Sequence, residues 1–522
     1  MIRTAKRAKA SQRQRITTVS SYPAPVGGWN TRDPLAAMKP TEAISLDNWF
    51  PQPGHVEIRG GSSSHATGMT GNGKTLMVYN AMAGTAQMFC ATASGIFNVS
   101  SAGAVGASVL ARTNGKIQWK MFGDGTSNWL IACNGVDAPA YYNGTTWTAV
   151  TGATSPALTG ITTTKLVSPI VYKGRLMFLE VDSLSFWYLS AGIAGGALTE
   201  FDLSAEFKRG GYIVAAENWT RDAGDGADDV MVFVSSQGEA VVYQGNDPSS
   251  AANWSKIGTF FVGKPIGRKC MTQWGGDLVL LTENGTFPMS AAMQSAVIDY
   301  KQALSFKIET AFTDAARSYG SVYGWTIVVF PLRNALIVNV PQVEDQETHN
   351  QYVMNTITKS WCRFLEWEAE DFVLYNNDLY YCDGTSVIKA WTGMNDQGSN
   401  IEAYAKQSFN FYNTPGLLKQ FKLFRPLLSV NGSIKYLVDI DVDFEDNPIS
   451  GQASYTPTTG AQWDVSNWDQ SYWSASYAVI KEWATPGEWT GYCAASKLKV
   501  ATNLLAAKWA GTDMMWEPAG VL

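Results

Sequence analysis

The sequence predicts an all-β protein, and three observations support that prediction. Short apolar runs rich in β-branched and aromatic residues end at glycine-containing turns and resume, repeatedly, from Leu76 to Trp391. The 48 glycines, many in Asn-Gly, Asp-Gly, Ser-Gly or Gln-Gly steps, supply the tight turns that hairpins need. Pairs of runs recur at about 40 to 60 residues, the spacing of four-stranded propeller blades. The expected architecture is therefore a β-propeller of six or seven blades, with an extended N-terminal arm and a smaller C-terminal β domain.

Composition sets the limits. A chain of 522 residues is too long for one ordinary core. A hydrophobic fraction of 45% with 16% charge excludes disorder. The net charge of −6 argues against adhesion of the whole protein to nucleic acid or to an anionic membrane. No apolar run approaches the length of a membrane span, and none is expected. The cysteines Cys90, Cys133, Cys270, Cys362, Cys382 and Cys493 show no CxxC spacing and read as buried free thiols from a reducing compartment. With only His55, His65 and His349 present, a zinc site has little support, and no cofactor is expected.

In chain order, residues 1–24 form a basic arm. Its first twenty residues carry Arg3, Lys6, Arg7, Lys9, Arg13 and Arg15 and no acid. They lack an apolar segment, so a secretory signal is not expected. Such an arm docks on an acidic neighbour or folds back on its own subunit. Residues 25–61 form a lead-in broken by prolines, with Trp29 and Trp49 as candidate interface aromatics. Its one alternating run, Val56 to Arg59, is a candidate outer strand that closes the ring of blades. Residues 62–395 hold the blades, through runs such as "TLMVYN", "GRLMFLEVDSLSFWYLS", "DDVMVFVSSQGEAVVYQG" and "WTIVVFPLRNALIVNV". One helical segment interrupts them: Leu304, Ile308, Phe312 and Ala315 follow three-to-four spacing, and Gly320 is a plausible stop. The C-terminal domain spans 396–522. "DQGSN" at 396–400 reads as a linker, "FKLFRPLLSVNGSIKYLVDIDVDFEDNP" as two strands of a separate domain, and the tail from Gln462 is rich in tryptophan.

Four patterns carry candidate chemistry. "GMTGNGKT", Gly68 to Thr75, matches the phosphate-loop form, which would place Lys74 on phosphate and Thr75 on magnesium. The motif needs a strand before and a helix after; here loop precedes and a strand-like "LMVYN" follows, so a Gly-rich hairpin turn is expected. Asp222, Asp225, Asp228 and Asp229 share a Gly-rich loop, as calcium sites do, without the EF-hand spacing. Asp439, Asp441, Asp443 and Glu445 alternate with Val438, Ile440, Val442 and Phe444. Period two puts four carboxylates on one strand face, which must be wet, either as an ordinary solvated face or as the lining of a passage. Trp463, Trp468 and Trp473 stand five apart and pack either their own core or a partner. No GxSxG motif is present, so acid–base chemistry would have to rest on carboxylates.

"GGWNTRDPLAAM", "LDNWFP" and "VEIRGG" are similar to the opening of phage virion proteins. "VYKGRLMFLEVDSLSFWYLSAG", "VFVSSQGEAVVYQGNDPSSAANWSKIGTFFVGKPIGRKC" and "GDLVLLTENGTFPMS" resemble tail-nozzle proteins of short-tailed double-stranded DNA phages. The resemblance runs from about residue 25 to 450 and lies in the order of elements more than in individual letters. It implies a propeller with an added β domain, and six copies around a channel beneath a portal–adaptor complex, near tail fibre, spike or needle proteins. It further implies assembly in the host cytoplasm, a place in the virion tail, retention and release of packaged double-stranded DNA, and no catalytic residues. An acidic lining would suit such a conduit, since basic lining grips phosphates. The alternative from another class is a propeller glycan hydrolase or a sugar-binding propeller of the virion surface.

Overall fold

The computed structural model describes residues 17–82, 84–220, 229–294, 299–344, 349–432, 434, 436–449, 478–480, 482–487 and 489–521. The chain is all-β. Among the described residues, seven groups of three or four antiparallel strands follow one another along the sequence, the sixth being one end of a nine-stranded sheet. The first holds Thr75–Tyr79, Gln87–Thr92 and Gly95–Asn98. The first strands of the remaining six are Gln118–Gly123, Leu166–Tyr172, Ile213–Trp219, Met271–Trp274, Thr326–Phe330 and Asp371–Tyr375. These first strands lie beside one another in order, and Asp371–Tyr375 lies beside Thr75–Tyr79.

Packing explains why the runs are apolar throughout rather than alternating. A strand shows successive side chains to opposite faces, and here both faces are covered. Leu76 and Val78 pack with Val373 and Tyr375 of the seventh sheet, whereas Met77 and Tyr79 pack with Leu130 and Ala132 of the second. Ile131 and Cys133 join Leu176 and Phe178 of the third sheet, and Met177 and Leu179 join Met231 and Phe233 of the fourth. Each sheet is thus sandwiched between two neighbours. All six cysteines are buried and free.

The seventh sheet takes its fourth strand from before the first sheet. Ser62–Thr67 pairs antiparallel with Ser386–Ala390. The expectation that Val56 to Arg59 closes the ring is corrected. His55–Ile58 pairs with Trp49–Gln52 and with Ala507–Val521 instead. The chain turns between the two strands at Gly60 and Gly61, where a Cβ on Gly61 would stand 1.9 Å from the carbonyl oxygen of Asn395. Only glycine fits that crossing.

The segment from 396 onward is not a separate domain. Glu42–Asp47 pairs with Ile401–Gln407, which pairs with Ala494–Thr502, which pairs with Tyr436–Val442. This sheet continues the sixth one through the contact of Asp47 with Arg363. A second sheet is built on two long strands, Leu417–Val430 and Ala507–Val521, with Thr18–Pro23 along the latter. Phe421, Phe424, Met514 and Trp516 from one sheet meet Ile440, Val442 and Ala494 from the other. The two strands read from 417–442 are therefore neighbours in sequence only and belong to different sheets. Within "DQGSN", Asp396 is buried while Gln397, Gly398, Ser399 and Asn400 are exposed.

The helical segment is found as Glu309–Tyr319, with Ile308, Phe312 and Ala315 buried and the Gly320 amide donating to Ala316 O at 2.9 Å. Among the described residues, no helix is long and apolar enough to cross a membrane.

Candidate functional site

Six of the seven first strands, all but Thr75–Tyr79, border a run of three adjoining spaces. Its upper cavity, of about 340 Å³, is bordered by Lys116, Gln118, Arg268, Lys269, Thr326 and Asp371. A waist of about 190 Å³ shares Gln118, Arg268, Lys269, Thr326 and Asp371 with it. A lower, wider space of about 810 Å³ shares Trp119, Lys120, Glu217 and Phe372 with the waist.

The polar groups stand at the starts of the lining strands, where the chain enters the passage from a loop. Lys74 precedes Thr75–Tyr79, Arg268 and Lys269 precede Met271–Trp274, and Glu370 precedes Asp371–Tyr375. Most are paired. Lys74 Nζ lies 3.1 Å from Glu370 Oε1 and 3.2 Å from Glu344 Oε1. Lys116 reaches Glu344 at 2.7 Å, Lys120 reaches Glu217 at 2.6 Å, and Lys269 reaches Asp371 at 2.5 Å. His349 Nε2 is 3.8 Å from Glu370 Oε1. Burial pushes the Asp371 carboxyl up, against the pull of Lys269 and of the backbone amides of Leu76 and Phe372. Burial likewise raises the Tyr323 phenol, whose oxygen donates to Lys74 O at 2.9 Å.

Arg268 differs from the other cations. Its Nη1 donates to the carbonyl oxygen of Val214 at 3.0 Å and grazes that of Ile213 at 3.5 Å, and no carboxylate among the described residues pairs with it. Burial lowers its pKa. Sequence reasoning did not find this cluster. The available signal was a charged residue immediately before an apolar run, as in "GRKC" and "EDFVLY".

The phosphate-loop reading of Gly68 to Thr75 fails on geometry. Lys74 is buried in its ion pairs, and Thr75 opens a strand rather than a helix. The segment joins two sheets instead of turning a hairpin. Gly73 is needed for packing, because a Cβ there would meet Cys382 Cβ at 2.8 Å and Cys90 Sγ at 2.9 Å.

The acidic stripe is corrected too. Asp441 is fully buried between Lys497 Nζ at 2.7 Å and Lys406 Nζ at 2.6 Å, and both lysines are buried as well. Asp439 lies 3.1 Å from Lys497. The strand ends at Val442, and Asp443 and Phe444 adopt positive φ. Asp443 Oδ1 then accepts from the amides of Tyr492 and Cys493 at 2.7 and 3.1 Å, and Glu445 is exposed. The four carboxylates therefore do not share one wet face; neighbouring strands neutralise two of them. Lys497 sits directly opposite Asp439 in the strand register.

Trp29 and Trp49 are core residues of this chain, not surface aromatics. Trp29 donates to Ile44 O at 3.1 Å, and Trp49 packs against Trp509 with ring centroids 5.8 Å apart. Arg3, Lys6, Arg7, Lys9, Arg13, Arg15, Trp463, Trp468 and Trp473 lie outside the described residues, as do Asp222, Asp225 and Asp228. Asp229 is described and buried.

No protein-family model matches the chain, and no curated protein matches it. Among solved structures, the chain is similar to the extracellular domain of a protein described as a hybrid two-component system of B. thetaiotaomicron, at 12% identity and a TM-score of 0.37. That match covers 63% of this chain and 40% of the other, so the chain spans well under half of that structure. It is similar as well to YCF48 solved with a D1 peptide, at 9% identity and a TM-score of 0.37, covering 67% of this chain and 99% of that one. Neither likeness is strong enough to bear on function.

Proposed function

We propose that this chain is a structural virion protein, a seven-bladed β-propeller with an added β body, six copies of which form the tail nozzle of a short-tailed double-stranded DNA phage. The observation that carries this reading is the path of the chain. A strand from before the first sheet completes the seventh, and strands from both ends of the chain build one β body beside the sheets. The resemblance implies a propeller with an added β domain, and a strand from before the first sheet that completes the seventh would leave no open sheet edge between first and last blades.

The axial passage bears on how DNA would travel. A waist of about 190 Å³ crossed by ion pairs is too small for a duplex. A conduit therefore has to form between copies, which makes the ring a requirement of the function. Thr17 donates its hydroxyl to Glu517 at 3.0 Å, and the basic residues that precede it in the sequence would dock on an acidic surface of an adaptor or portal subunit.

Native mass measurement and symmetric reconstruction of the assembled particle test the reading. Six copies in a ring beneath the portal are expected. A monomer that cleaves or binds surface glycans would overturn it in favour of a glycan-directed propeller. Removal of residues 1–15 should weaken attachment in a salt-sensitive way, because exposed charges are screened within about 8 Å at physiological salt.

A further inference from the structure

We infer that the upper cavity of the axial passage is a binding site for a small oxyanion, a carboxylate or phosphate group carried by a molecule that fits about 340 Å³. The inference is independent of the nozzle reading. It rests on the groups left without partners on one wall of one cavity. Of the cations that line the passage, Lys116, Lys120 and Lys269 each have a carboxylate within 3.3 Å, and among the described residues Arg268 has no carboxylate in ion-pair range. Its guanidinium lies over the Tyr212 ring at 5.8 Å, and among the described residues only Nη1 finds hydrogen-bond acceptors, the two backbone carbonyls, so Nε and Nη2 remain as donors. A half-buried charge without a counter-charge is costly. A carboxylate or phosphate presents two oxygens at the spacing of a guanidinium edge and would remove that cost.

Gln118 and Thr326 border both the cavity and the waist with Arg268, and neither side chain has a hydrogen-bond partner among the described residues. They offer an amide and a hydroxyl to the rest of a bound molecule. Lys116 and Lys269 also border the cavity but are paired with Glu344 and Asp371, and Glu370 lines it as well, so the charge offered to an anion is that of Arg268. Ligand pockets of this kind combine an enclosed volume of about 300–1,000 Å³ with a few convergent polar groups. The cavity falls at the small end of that range, which points to a compact metabolite-sized anion rather than a polymer.

Isothermal titration of the full-length protein with inorganic phosphate and, separately, with succinate tests this. One saturable site per chain is expected for at least one probe, and the tighter of the two identifies the oxyanion. Arg268→Met should weaken that binding about ten- to a hundredfold, the loss expected for hydrogen bonds to a charged group. Lys256→Met removes one positive charge on an outer strand and should leave binding unchanged. If Arg268→Met does not fold, Gln118→Leu should weaken binding by about two- to tenfold, the size of one neutral hydrogen bond. Absence of saturable binding by both probes overturns the proposal. So does equal weakening in Lys256→Met, which would show a diffuse charge effect.

Discussion

Arg59 donates every N–H of its buried guanidinium, and two of them go to Asp396. Nη1 and Nη2 reach Asp396 Oδ1 and Oδ2 at 3.0 and 2.6 Å. Nε donates to Asn48 Oδ1 at 2.9 Å, and the remaining N–H groups go to Gly60 O at 3.0 Å and Leu365 O at 2.8 Å. The group also lies over the ring of Trp367 at 4.9 Å. One residue thus ties the end of the lead-in, the sixth sheet and the loop after the seventh. Arg59→Met should lower unfolding stability by about 3–5 kcal/mol, because it leaves Asp396 charged and buried. Arg59→Lys should recover only part of this, since an ammonium cannot reproduce the planar fork. Denaturant unfolding of both variants checks the order.

At Gly61 the backbone crosses Asn395 too closely for any side chain. Gly61→Ala should lower stability by about 1–3 kcal/mol, the range for overpacking a tight site. It should do so by loosening Ser62–Thr67 from Ser386–Ala390. Hydrogen exchange at those two strands should rise more than at the third or fourth sheet.

Asp441 holds two buried lysines. Although burial alone would raise its pKa, hydrogen bonds from Lys406 and Lys497 hold the carboxyl below its ordinary value of 3.8. A depressed carboxyl contributes stability that is complete above its ordinary pKa and lost as pH falls through the lower folded value. Asp441→Asn should therefore cost about 1–3 kcal/mol near neutral pH, because it removes a charged acceptor from two buried lysines that keep Asp446 and Asp439 as their remaining counter-charges. The gap between variant and parent should narrow in acid. Unfolding curves at pH 7 and pH 3 provide the comparison.

Glu366 has the opposite sign. Burial pushes its pKa up to about 7, Arg59 opposes this, and Asp396 and Glu402 reinforce it. The folded state then binds more protons than the unfolded state between the ordinary 4.5 and about 7, so its contribution declines as pH rises through that window. Glu366→Gln should remove the decline. Its stability relative to the parent should improve from pH 5 to pH 8, and a constant difference across that range would contradict the assignment.

Lys74→Ala should leave no nucleotide-dependent phenotype, because Lys74 pairs with Glu370 and Glu344 inside the passage entrance. It should lower the melting temperature instead. Thermal scans with and without ATP and magnesium should show equal shifts for parent and variant.

The sequence alone determined the strand class, most of the hairpins and the single longer helix. Those features depend on contacts between residues close in the chain: β-branched runs, glycine turns, and three-to-four spacing ending at Gly320. It misjudged which strands close the sheets, because Ser62–Thr67 and Ser386–Ala390 are more than 300 residues apart and no local pattern records their pairing. The acidic stripe shows the same limit. Alternation along 438–445 correctly opposed carboxylates to apolar groups in a strand, yet it carried no information about Lys406 and Lys497 on adjacent strands. Whether a carboxylate is wet or buried depends on the charge that arrives from elsewhere in the chain. Arg268 makes the point from the other side: its sequence neighbourhood is ordinary, and only the meeting of five strand starts around one cavity leaves it, among the described residues, the lining cation with no carboxylate partner.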